Sequence, residues 1–286
     1  RGRVPILAGA AESNLTMILD ACRTYADLGC CAVSITGPYY YKVSQESIEH
    51  FFREVAKRSP IDILLYNIPQ FSNEISVPVV TRLAMDCPRI VGIKDSSRDF
   101  PRFLNTLHAI KPQRPDFSCM IGCEEILFPS LLMGADGGTI ASSGVVPEVI
   151  VKLYQEFLAG RWDEAKRIQL KLLDLINAML YGTNFPEGFR AGMALRGFNL
   201  GTTRQLLSPG EQSDLEDIRG KIACILADCG FSEAAGACRR AGVGATGSAA
   251  RTTAEPTAPP VGRVEVEGIV REVMDKLRAH QPKATN

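Results

Sequence analysis

The residue best suited to do chemistry is Lys94, which ends the short apolar run IVGIK. A lysine that terminates a buried parallel strand points into the mouth of a barrel, where TIM-barrel enzymes keep their active sites. Loss of solvent favours the neutral amine of a lysine, and a neutral amine can attack a carbonyl carbon to form a Schiff base. A solvated lysine at the end of a strand would give the same local pattern.

Tyr66 ends the preceding apolar run, IDILLY, one strand–helix unit before Lys94. The ends of adjacent parallel strands lie roughly 4.8 Å apart in the hydrogen-bonding direction. A phenol at that distance can carry protons to and from an attacking amine. Without Lys94, Tyr66 would be an ordinary aromatic residue at a strand end, whereas the two together indicate Schiff-base chemistry.

The elements that must position these residues alternate over the first 145 or so residues. Strands are predicted at residues 4–8, 32–36, 61–66, 90–94, 117–121 and 138–141, and helices at 15–28, 45–57, 77–85, 100–110 and 124–133. Alternation at roughly 30 residues a unit predicts right-handed βαβ units and a parallel sheet. No Gly-x-Gly-x-x-Gly motif follows any strand, so the pattern favours a (β/α)₈ barrel over a dinucleotide-binding fold.

The rest of the chain divides by composition. Residues 1–146 are interpreted as a partial TIM barrel and 147–233 as a barrel-closing helix and a helical region, with helices at 149–158, 162–180, 186–197 and 209–229. Residues 234–262 are rich in Ala, Gly, Thr and Pro, which predicts a disordered linker. Residues 263–279 are interpreted as a tethered amphipathic helix.

Only six of the eight expected strands are visible. Two further units would take roughly 60 residues, so we expect them to precede Arg1. The alternatives are an open six-stranded sheet and a barrel completed by another polypeptide.

Composition excludes several classes of protein. The 286 residues carry 32 Lys plus Arg and 32 Asp plus Glu, so a nucleic-acid partner is not expected. No apolar run reaches the ~20 residues of a membrane span, and no signal peptide opens the chain, which favours a cytoplasmic protein. The nine cysteines, among them Cys30, Cys31 and Cys119, are interpreted as reduced, buried thiols. Three dispersed histidines and the lack of a Cys-x-x-Cys pair argue against a zinc site.

Three motifs resemble the dihydrodipicolinate synthase and N-acetylneuraminate lyase family, whose members are Schiff-base aldolases of pyruvate on a (β/α)₈ barrel. They are YNIP at residues 66–69, GIKDS at 92–96 and GADGG at 134–138, in the family's order. Residues 2–9 resemble its third strand and PYYY at 38–41 the turn after its fourth. The resemblance covers about residues 1–231, and it implies a tetramer that needs no metal and no organic cofactor.

The resemblance implies a role for each matching residue. Lys94 would form the Schiff base, Tyr66 would shuttle protons, and Tyr40 would extend the proton relay into a neighbouring subunit. A partly buried aromatic turn would explain Tyr40 equally well. The residues expected to bind substrate, through side chains or nearby backbone groups, are Ser96, Gly122, Glu124, Glu125, Ser142 and Ser143.

Two departures from the family pattern bear on activity. The family's Thr-Thr-Gly-Glu-like loop would lie ahead of the residues that match here. The synthase also has an arginine two residues after its Tyr-Asn-x-Pro motif, where this chain has Phe71, and a ring cannot bind a carboxylate as arginine does. Gly122 to Glu125 instead resembles the Gly-Tyr-Asp-Glu stretch of sialic acid lyases, where two carboxylates hold substrate hydroxyls. Helix-start acids would give the same pattern as Glu124 and Glu125.

The tail carries an apolar stripe of Val266, Ile269, Val270, Val273, Met274 and Leu277. A helix of about four turns is marginal alone, so this stripe should need a partner. The arrangement resembles the encapsulation peptides that dock enzymes inside bacterial microcompartment shells. Packing on its own barrel or on a second copy would fit the same periodicity.

Three hypotheses follow. The first is a class I aldolase or lyase that joins or cleaves pyruvate, or a related 2-oxo acid, and an aldehyde, and that is not the lysine-pathway synthase. The second is a dehydratase or hydratase-aldolase that uses the same lysine. The third is a catalytically inert protein that serves as microcompartment cargo or as a structural oligomer.

Overall fold

A six-stranded parallel sheet runs through the first half of the chain, in the sequential order β1-β2-β3-β4-β5-β6. The computed structural model describes residues 4–238, all of which belong to one compact unit, Arg1–Ala241. The strands are β1 (Leu7–Ala10), β2 (Ala32–Thr36), β3 (Asp62–Asn67), β4 (Ile90–Asp95), β5 (Ser118–Ile121) and β6 (Gly137–Gly138). Sequential parallel order with a helix after each strand is six consecutive units of a (β/α)₈ barrel, which confirms the predicted fold class.

Five helices cross between the strands or follow them. They are α1 (Leu15–Asp27), α2 (Gln45–Arg58), α3 (Val77–Asp86), α4 (Phe100–Ile110) and α5 (Leu127–Leu132). Side chains cap three of their N-termini: Asn14 accepts from the N–H of Met17, Ser44 from that of Ser47, and Asp99 from that of Arg102. The single helix predicted at 124–133 is instead a 3₁₀ turn, Glu124–Ile126, followed by α5.

The hydrophobic core lies between the sheet and its helices. Alternate strand residues such as Ile35, Leu65 and Ile93 are fully buried and pack with Phe52 of α2 and Phe103 of α4. Because side chains alternate across a strand, the residues between them face the other side of the sheet. Tyr66 and Lys94 directly follow the core residues Leu65 and Ile93, so their side chains lie on the opposite side of the sheet from the core. The two-residue period of the strands thus separates the core residues from the candidate site residues.

The second part of the described chain is helical, as predicted. Its helices are α6 (Pro147–Leu158), α7 (Trp162–Ile176), α8 (Glu187–Leu195) and α9 (Pro209–Asp228). The helix predicted at 162–180 ends earlier, at Ile176, and continues as a π-helix, Asn177–Tyr181. A Cβ added to Gly188 of α8 would lie 2.1 Å from the carbonyl oxygen of Met179, so glycine lets α8 and the π-helix come into backbone contact.

Two sequence predictions are wrong near residue 238. The predicted linker begins at residue 234, but Ser232–Ala237 is a 3₁₀ helix in which Ala234 is fully buried. The cysteines are not all reduced, because Cys224 in α9 forms a disulfide with Cys238. Nor are all the free ones buried, since Cys31 is exposed. The disulfide links the segment after α9 to that helix. Amino-acid composition alone did not indicate this link.

The amphipathic helix predicted at 263–279 and the linker beyond residue 238 lie outside the described residues. Between residues 4 and 238, no helix combines the length and the apolar character that crossing a membrane requires.

Candidate active site

A cavity of about 350 Å³ opens at the carboxyl ends of strands β3, β4 and β5. Six of the predicted site residues line it: Tyr66, Lys94, Ser96, Gly122, Glu124 and Glu125. We call Tyr66, Lys94, Ser96 and Gly122 the strand-end wall. The helical wall comprises Ile176, Leu180, Tyr181, Phe185 and Phe189, from the chain beyond the sheet. The carboxyl ends of barrel strands are where TIM-barrel enzymes place their reacting groups.

The amine of Lys94 lies over the ring of Tyr66. The two residues are paired in register across β3 and β4, and the lysine Nζ is 4.1 Å from the ring centroid. Both side chains are partly buried, and both face the cavity. Strand pairing thus holds an amine and a phenol side by side, the arrangement that Schiff-base chemistry with proton transfer requires.

A buried ion pair fixes the strand ends beside this couple. Asp95, next to Lys94, accepts hydrogen bonds from the buried guanidinium of Arg102, from the N–H of Ser97 at 2.8 Å and from the Asn67 amide at 3.3 Å. Asn67 itself accepts from the N–H of Ile75 at 3.0 Å. Because Asn67 and Asp95 directly follow Tyr66 and Lys94, this network holds the strand ends from which those two side chains project.

Gly122 gives Lys94 room. A Cβ at this position would lie 2.0 Å from Ser96 Oγ and 3.1 Å from Lys94 Cε. Its N–H donates to the Asp95 carbonyl at 2.7 Å, so that N–H is not free to bind a substrate carboxylate. The Ser96 hydroxyl, by contrast, lies on the cavity wall close to the lysine.

Glu124 is buried, with 4 % of its surface exposed, and it lines the cavity. Its Oε1 accepts the backbone N–H of Ser142 at 2.6 Å. Burial raises the pKa of this carboxyl, and the hydrogen bond from Ser142 opposes that rise. A carboxylic acid with a raised pKa beside an amine can act as a proton donor as well as an acceptor.

The structure does not bring Ser142 and Ser143 to the cavity wall. Ser142 is fully buried, its N–H is used by Glu124, and its hydroxyl has no hydrogen-bond partner among residues 4–238. The Ser143 hydroxyl donates to the carbonyl of Ile140 at 2.6 Å. At this point of the chain the wall is formed instead by Thr139, Ile140 and Ala141.

Glu125 belongs to a polar cluster that the sequence did not indicate. Its Oε1 accepts the hydroxyl of Tyr181 at 2.9 Å and lies 3.4 Å from Nε of Arg98. The Arg98 guanidinium is 5.3 Å from the centroid of the Tyr181 ring. Burial, and then the bond to Glu125, raise the pKa of Tyr181, so its phenol remains a donor at neutral pH. Arg98 lies four residues after Lys94, so its nearness in the sequence could have indicated that it belongs to the site. No sequence pattern indicates that Tyr181 does.

Cys123 also lines the cavity and offers a nucleophile of a different kind. Burial raises the pKa of its thiol to about 11. A thiol that keeps its proton at neutral pH is a poor nucleophile. The amine of Lys94, which lies over the ring of Tyr66 on the same wall, is the better placed candidate for attack on a carbonyl.

Tyr40 lies away from the cavity. Its side chain is 89 % exposed, and its φ of 74° lies in the left-handed region, which residues other than glycine rarely adopt. It packs edge to face on Tyr41, with ring centroids 4.9 Å apart. Within this chain Tyr40 contributes nothing to the wall around Lys94.

Comparison with known proteins agrees with this geometry. A DapA-like lyase of Thermococcus kodakarensis is 29% identical over 220 residues, which cover 77% of this chain and 74% of the relative. The 4-hydroxy-tetrahydrodipicolinate synthase of Thermotoga neapolitana is 29% identical over 222 residues, 77% of this chain and 75% of the synthase.

Solved structures give the same result. The E. coli prophage protein YagE, of the dihydrodipicolinic acid synthase family and solved with pyruvate, has a TM-score of 0.73 at 25% identity, covering 79% of this chain and 76% of its own. The 2-keto 3-deoxygluconate aldolase of Picrophilus torridus has a TM-score of 0.67 at 28% identity, covering 73% of this chain and 75% of its own. The sequence profile of the dihydrodipicolinate synthetase family matches residues 1–223. A match over most of the chain, together with lyase and aldolase relatives, shows that this protein belongs to the dihydrodipicolinate synthetase family and is a lyase.

Proposed function

We propose that this lyase is a class I aldolase that joins pyruvate, or a related 2-oxo acid, to an aldehyde or cleaves the product of that reaction. The observation that carries the proposal is the position of the Lys94 Nζ, 4.1 Å from the centre of the Tyr66 ring at the carboxyl ends of paired strands. Lys94 is the proposed nucleophile and Tyr66 the proposed proton carrier.

The reaction begins with attack of the neutral Lys94 amine on the C2 carbonyl of the 2-oxo acid. Tyr66 protonates the carbinolamine oxygen, which leaves as water, and the C–N bond becomes an iminium. The phenolate then takes a proton from C3, and the electron pair forms an enamine. The enamine carbon bonds to the aldehyde carbon while Tyr66 gives the proton that it took from C3 to the aldehyde oxygen. Water hydrolyses the new iminium, which releases a 4-hydroxy-2-oxo acid and restores the amine.

The other predicted residues surround this couple. We propose the Ser96 hydroxyl as a donor to the 2-oxo acid carboxylate, because it lies on the wall beside Lys94 while the N–H groups of Gly122 and Ser142 are already bonded. Glu124, with its raised pKa, is proposed to assist proton transfer within the cavity. The second carboxylate, Glu125, is proposed to orient Tyr181 and Arg98 at the outer end.

The lysine-pathway synthase reaction is not the activity that we propose. Phe71 lines the cavity at the position where the synthase needs an arginine for the carboxylate of its aldehyde. A dehydratase or hydratase-aldolase would use the same lysine and the same iminium, and it remains the alternative. An inert cargo protein would have no need of the buried network that holds Asp95 next to the reactive lysine.

Tyr40 is proposed to act in a neighbouring subunit of a homotetramer. Its exposed side chain and left-handed backbone make it available to a second copy rather than to its own cavity. The apolar stripe at 263–279 is proposed to dock to a microcompartment shell protein, which would place the enzyme inside a shell in the cytoplasm. Its support is the spacing of the apolar residues and the low-complexity segment before it.

Reduction with borohydride tests the proposal. Incubation with pyruvate and borohydride should leave a stable secondary-amine adduct on the peptide that contains Lys94. Lys94→Arg should abolish it, because a guanidinium stays charged and cannot attack. Lys42→Arg, a substitution at an exposed lysine, should keep it. An adduct on another lysine, or none in the wild-type protein, would contradict the proposed mechanism.

A further inference from the structure

Part of the cavity wall consists of exposed aromatic rings. The side chains of Phe71, Tyr181 and Phe185 are 65 %, 56 % and 51 % exposed, although all three line the cavity. Phe189 packs edge to face on Phe185, with centroids 5.8 Å apart. Such rings gain free energy when a ligand removes them from water, and they can stack on another ring.

The charged groups in this part of the cavity are paired with one another. Arg98 and Tyr181 both turn toward Oε1 of Glu125, and the guanidinium lies near the Tyr181 ring. The positive charge of Arg98 is therefore opposed by a carboxylate within the same cluster. A substrate anion would have to compete with Glu125 for it, so among residues 4–238 this cluster offers no unopposed positive charge to a carboxylate or phosphate.

One oxygen of each cavity carboxylate already has a protein donor. Oε1 of Glu124 accepts the Ser142 N–H, and Oε1 of Glu125 accepts from Tyr181. Apolar side chains line the same cavity, among them Ile140, Ile176 and Leu180. A polyhydroxylated aldehyde would lose water from its hydroxyls wherever it meets these side chains, without a hydrogen bond in return.

We propose that the acceptor aldehyde carries an aromatic or similarly bulky apolar group, which Phe71, Tyr181 and Phe185 cover while its carbonyl carbon meets the enamine on Lys94. The proposal rests on the proposed aldolase function and names the substrate class of that site. The volume of about 350 Å³ is near the lower end of ordinary ligand pockets, which suits a three-carbon acid and one ring-sized group.

The test measures condensation of pyruvate with benzaldehyde and with glyceraldehyde. In the wild-type protein, kcat/KM should be at least about tenfold higher for benzaldehyde, since apolar pockets discriminate by about 10–200-fold for a single methylene. Phe185→Ala should lower kcat/KM for benzaldehyde by at least about tenfold more than it lowers kcat/KM for glyceraldehyde. Phe198→Ala is the matched control, because Phe198 is 55 % exposed but does not line the cavity, and it should change neither value.

A second variant tests the charge argument. Phe71→Arg should raise kcat/KM for succinic semialdehyde relative to benzaldehyde by about tenfold or more, because it adds a cation that Glu125 does not already occupy.

The pyruvate adduct on Lys94 separates the possible failures. If the adduct forms and the wild-type protein prefers glyceraldehyde, or if Phe185→Ala slows both aldehydes equally, the assignment of the acceptor is wrong. The same holds if the adduct forms and neither aldehyde reacts. If no adduct forms, the proposed function fails, and the acceptor assignment fails with it.

Discussion

The strand-end wall of the cavity is positioned by backbone hydrogen bonds between strands, whereas the helical wall is positioned by packing and by the hydrogen bond from Tyr181 to Glu125. Tyr66 and Lys94 are register partners, and the N–H of Ser96 donates to the Asn67 carbonyl at 2.8 Å. The helical wall instead depends on how α8 meets the π-helix, where Gly188 lies against the Met179 backbone. A ladder of hydrogen bonds fixes positions more narrowly than apolar contacts do, because hydrogen bonds are directional and the hydrophobic effect is not.

This difference separates two tasks within one cavity. The narrowly fixed wall holds the groups that we propose to meet a reacting carbonyl, a step that requires defined geometry. The helical wall carries aromatic rings, which we expect to match the shape of the substrate. Substitutions in the strand-end wall should therefore change the rate of chemistry, and those in the helical wall should change the choice of substrate.

The largest expected effect is that of Tyr66→Phe. The substitution keeps the ring under Lys94 but removes the hydroxyl that we propose to move protons, and such groups contribute about 10²–10⁴-fold. We expect kcat to fall by about that factor with the fold retained, as measured by steady-state kinetics and circular dichroism. A kcat within about twofold of the wild-type value would show that Tyr66 is only a strand-end aromatic.

Two glycine substitutions should separate the walls. Gly122→Ala places a methyl against Ser96 Oγ and Lys94 Cε, and Gly188→Ala places one against the Met179 backbone. Each should lower the free energy of unfolding by about 1–3 kcal/mol. Only Gly122→Ala should reduce the pyruvate adduct, whereas Gly188→Ala should mainly raise KM for the aldehyde. Urea unfolding and adduct yield measure these outcomes.

Gly137→Ala is the control for this pair, because a methyl there meets nothing within 4 Å. It should change neither adduct nor KM. If Gly188→Ala abolishes the adduct and Gly122→Ala does not, the assignment of tasks to the two walls is reversed.

A smaller, pH-dependent effect is expected for Glu124→Gln. Burial raises the pKa of this carboxyl in the folded protein, so over the interval between its unfolded and folded pKa the folded state binds more protons. The wild-type free energy of unfolding should fall across that interval as pH rises, and no further once pH is above the folded pKa. Glutamine keeps the acceptor for the Ser142 N–H but does not titrate.

Urea unfolding of both proteins as a function of pH measures this effect. The stability of Glu124→Gln relative to wild type should increase as pH rises through the interval. At pH values well below the unfolded pKa of about 4.3, where the glutamate is protonated in both the folded and the unfolded state, the difference should be constant. A difference that moves the other way would mean that the folded protein favours the carboxylate.

The sequence predicted the strand-end wall and missed the helical one. The predicted bounds of β2 and α4 agree with the structure. The strand is a short β-branched run and the helix has apolar residues three and four apart, and each pattern stops where its element ends. The prediction that Lys94 and Tyr66 lie together rested on their positions at the ends of two strands that are one strand–helix unit apart. Residues in register at the ends of neighbouring strands are near one another by geometry, so local pattern was sufficient.

No local pattern places Tyr181 or Phe185 over a strand end far away in sequence. Their positions depend on the early end of α7 and on the contact at Gly188, both of which are results of packing. The polar cluster of Arg98, Glu125 and Tyr181 was missed for the same reason. The disulfide was missed because a spacing of 14 residues does not identify a cysteine pair.

The smallest expected effect, on the stability of the enzyme, is that of deleting the tail. The strands, helices and both cavity walls described above all lie within Arg1–Ala241, so a chain that ends at residue 241 keeps them together with the Cys224–Cys238 disulfide. A deletion of 242–286 should change the free energy of unfolding by less than about 1 kcal/mol, a shift in Tm of about 2–4 °C at most for a chain of this size.

The apolar stripe at 263–279 should instead determine where in the cell the enzyme is located. A fluorescent protein fused to residues 263–286 should move to co-expressed microcompartment shell proteins, and Ile269→Glu with Val273→Glu should abolish that movement, because both charges enter the stripe. Glu267→Gln with Lys276→Gln, outside the stripe, should leave it intact. A large fall in Tm, or dissociation of the oligomer on deletion, would show that the tail packs on its own protein, and the targeting proposal would then be wrong.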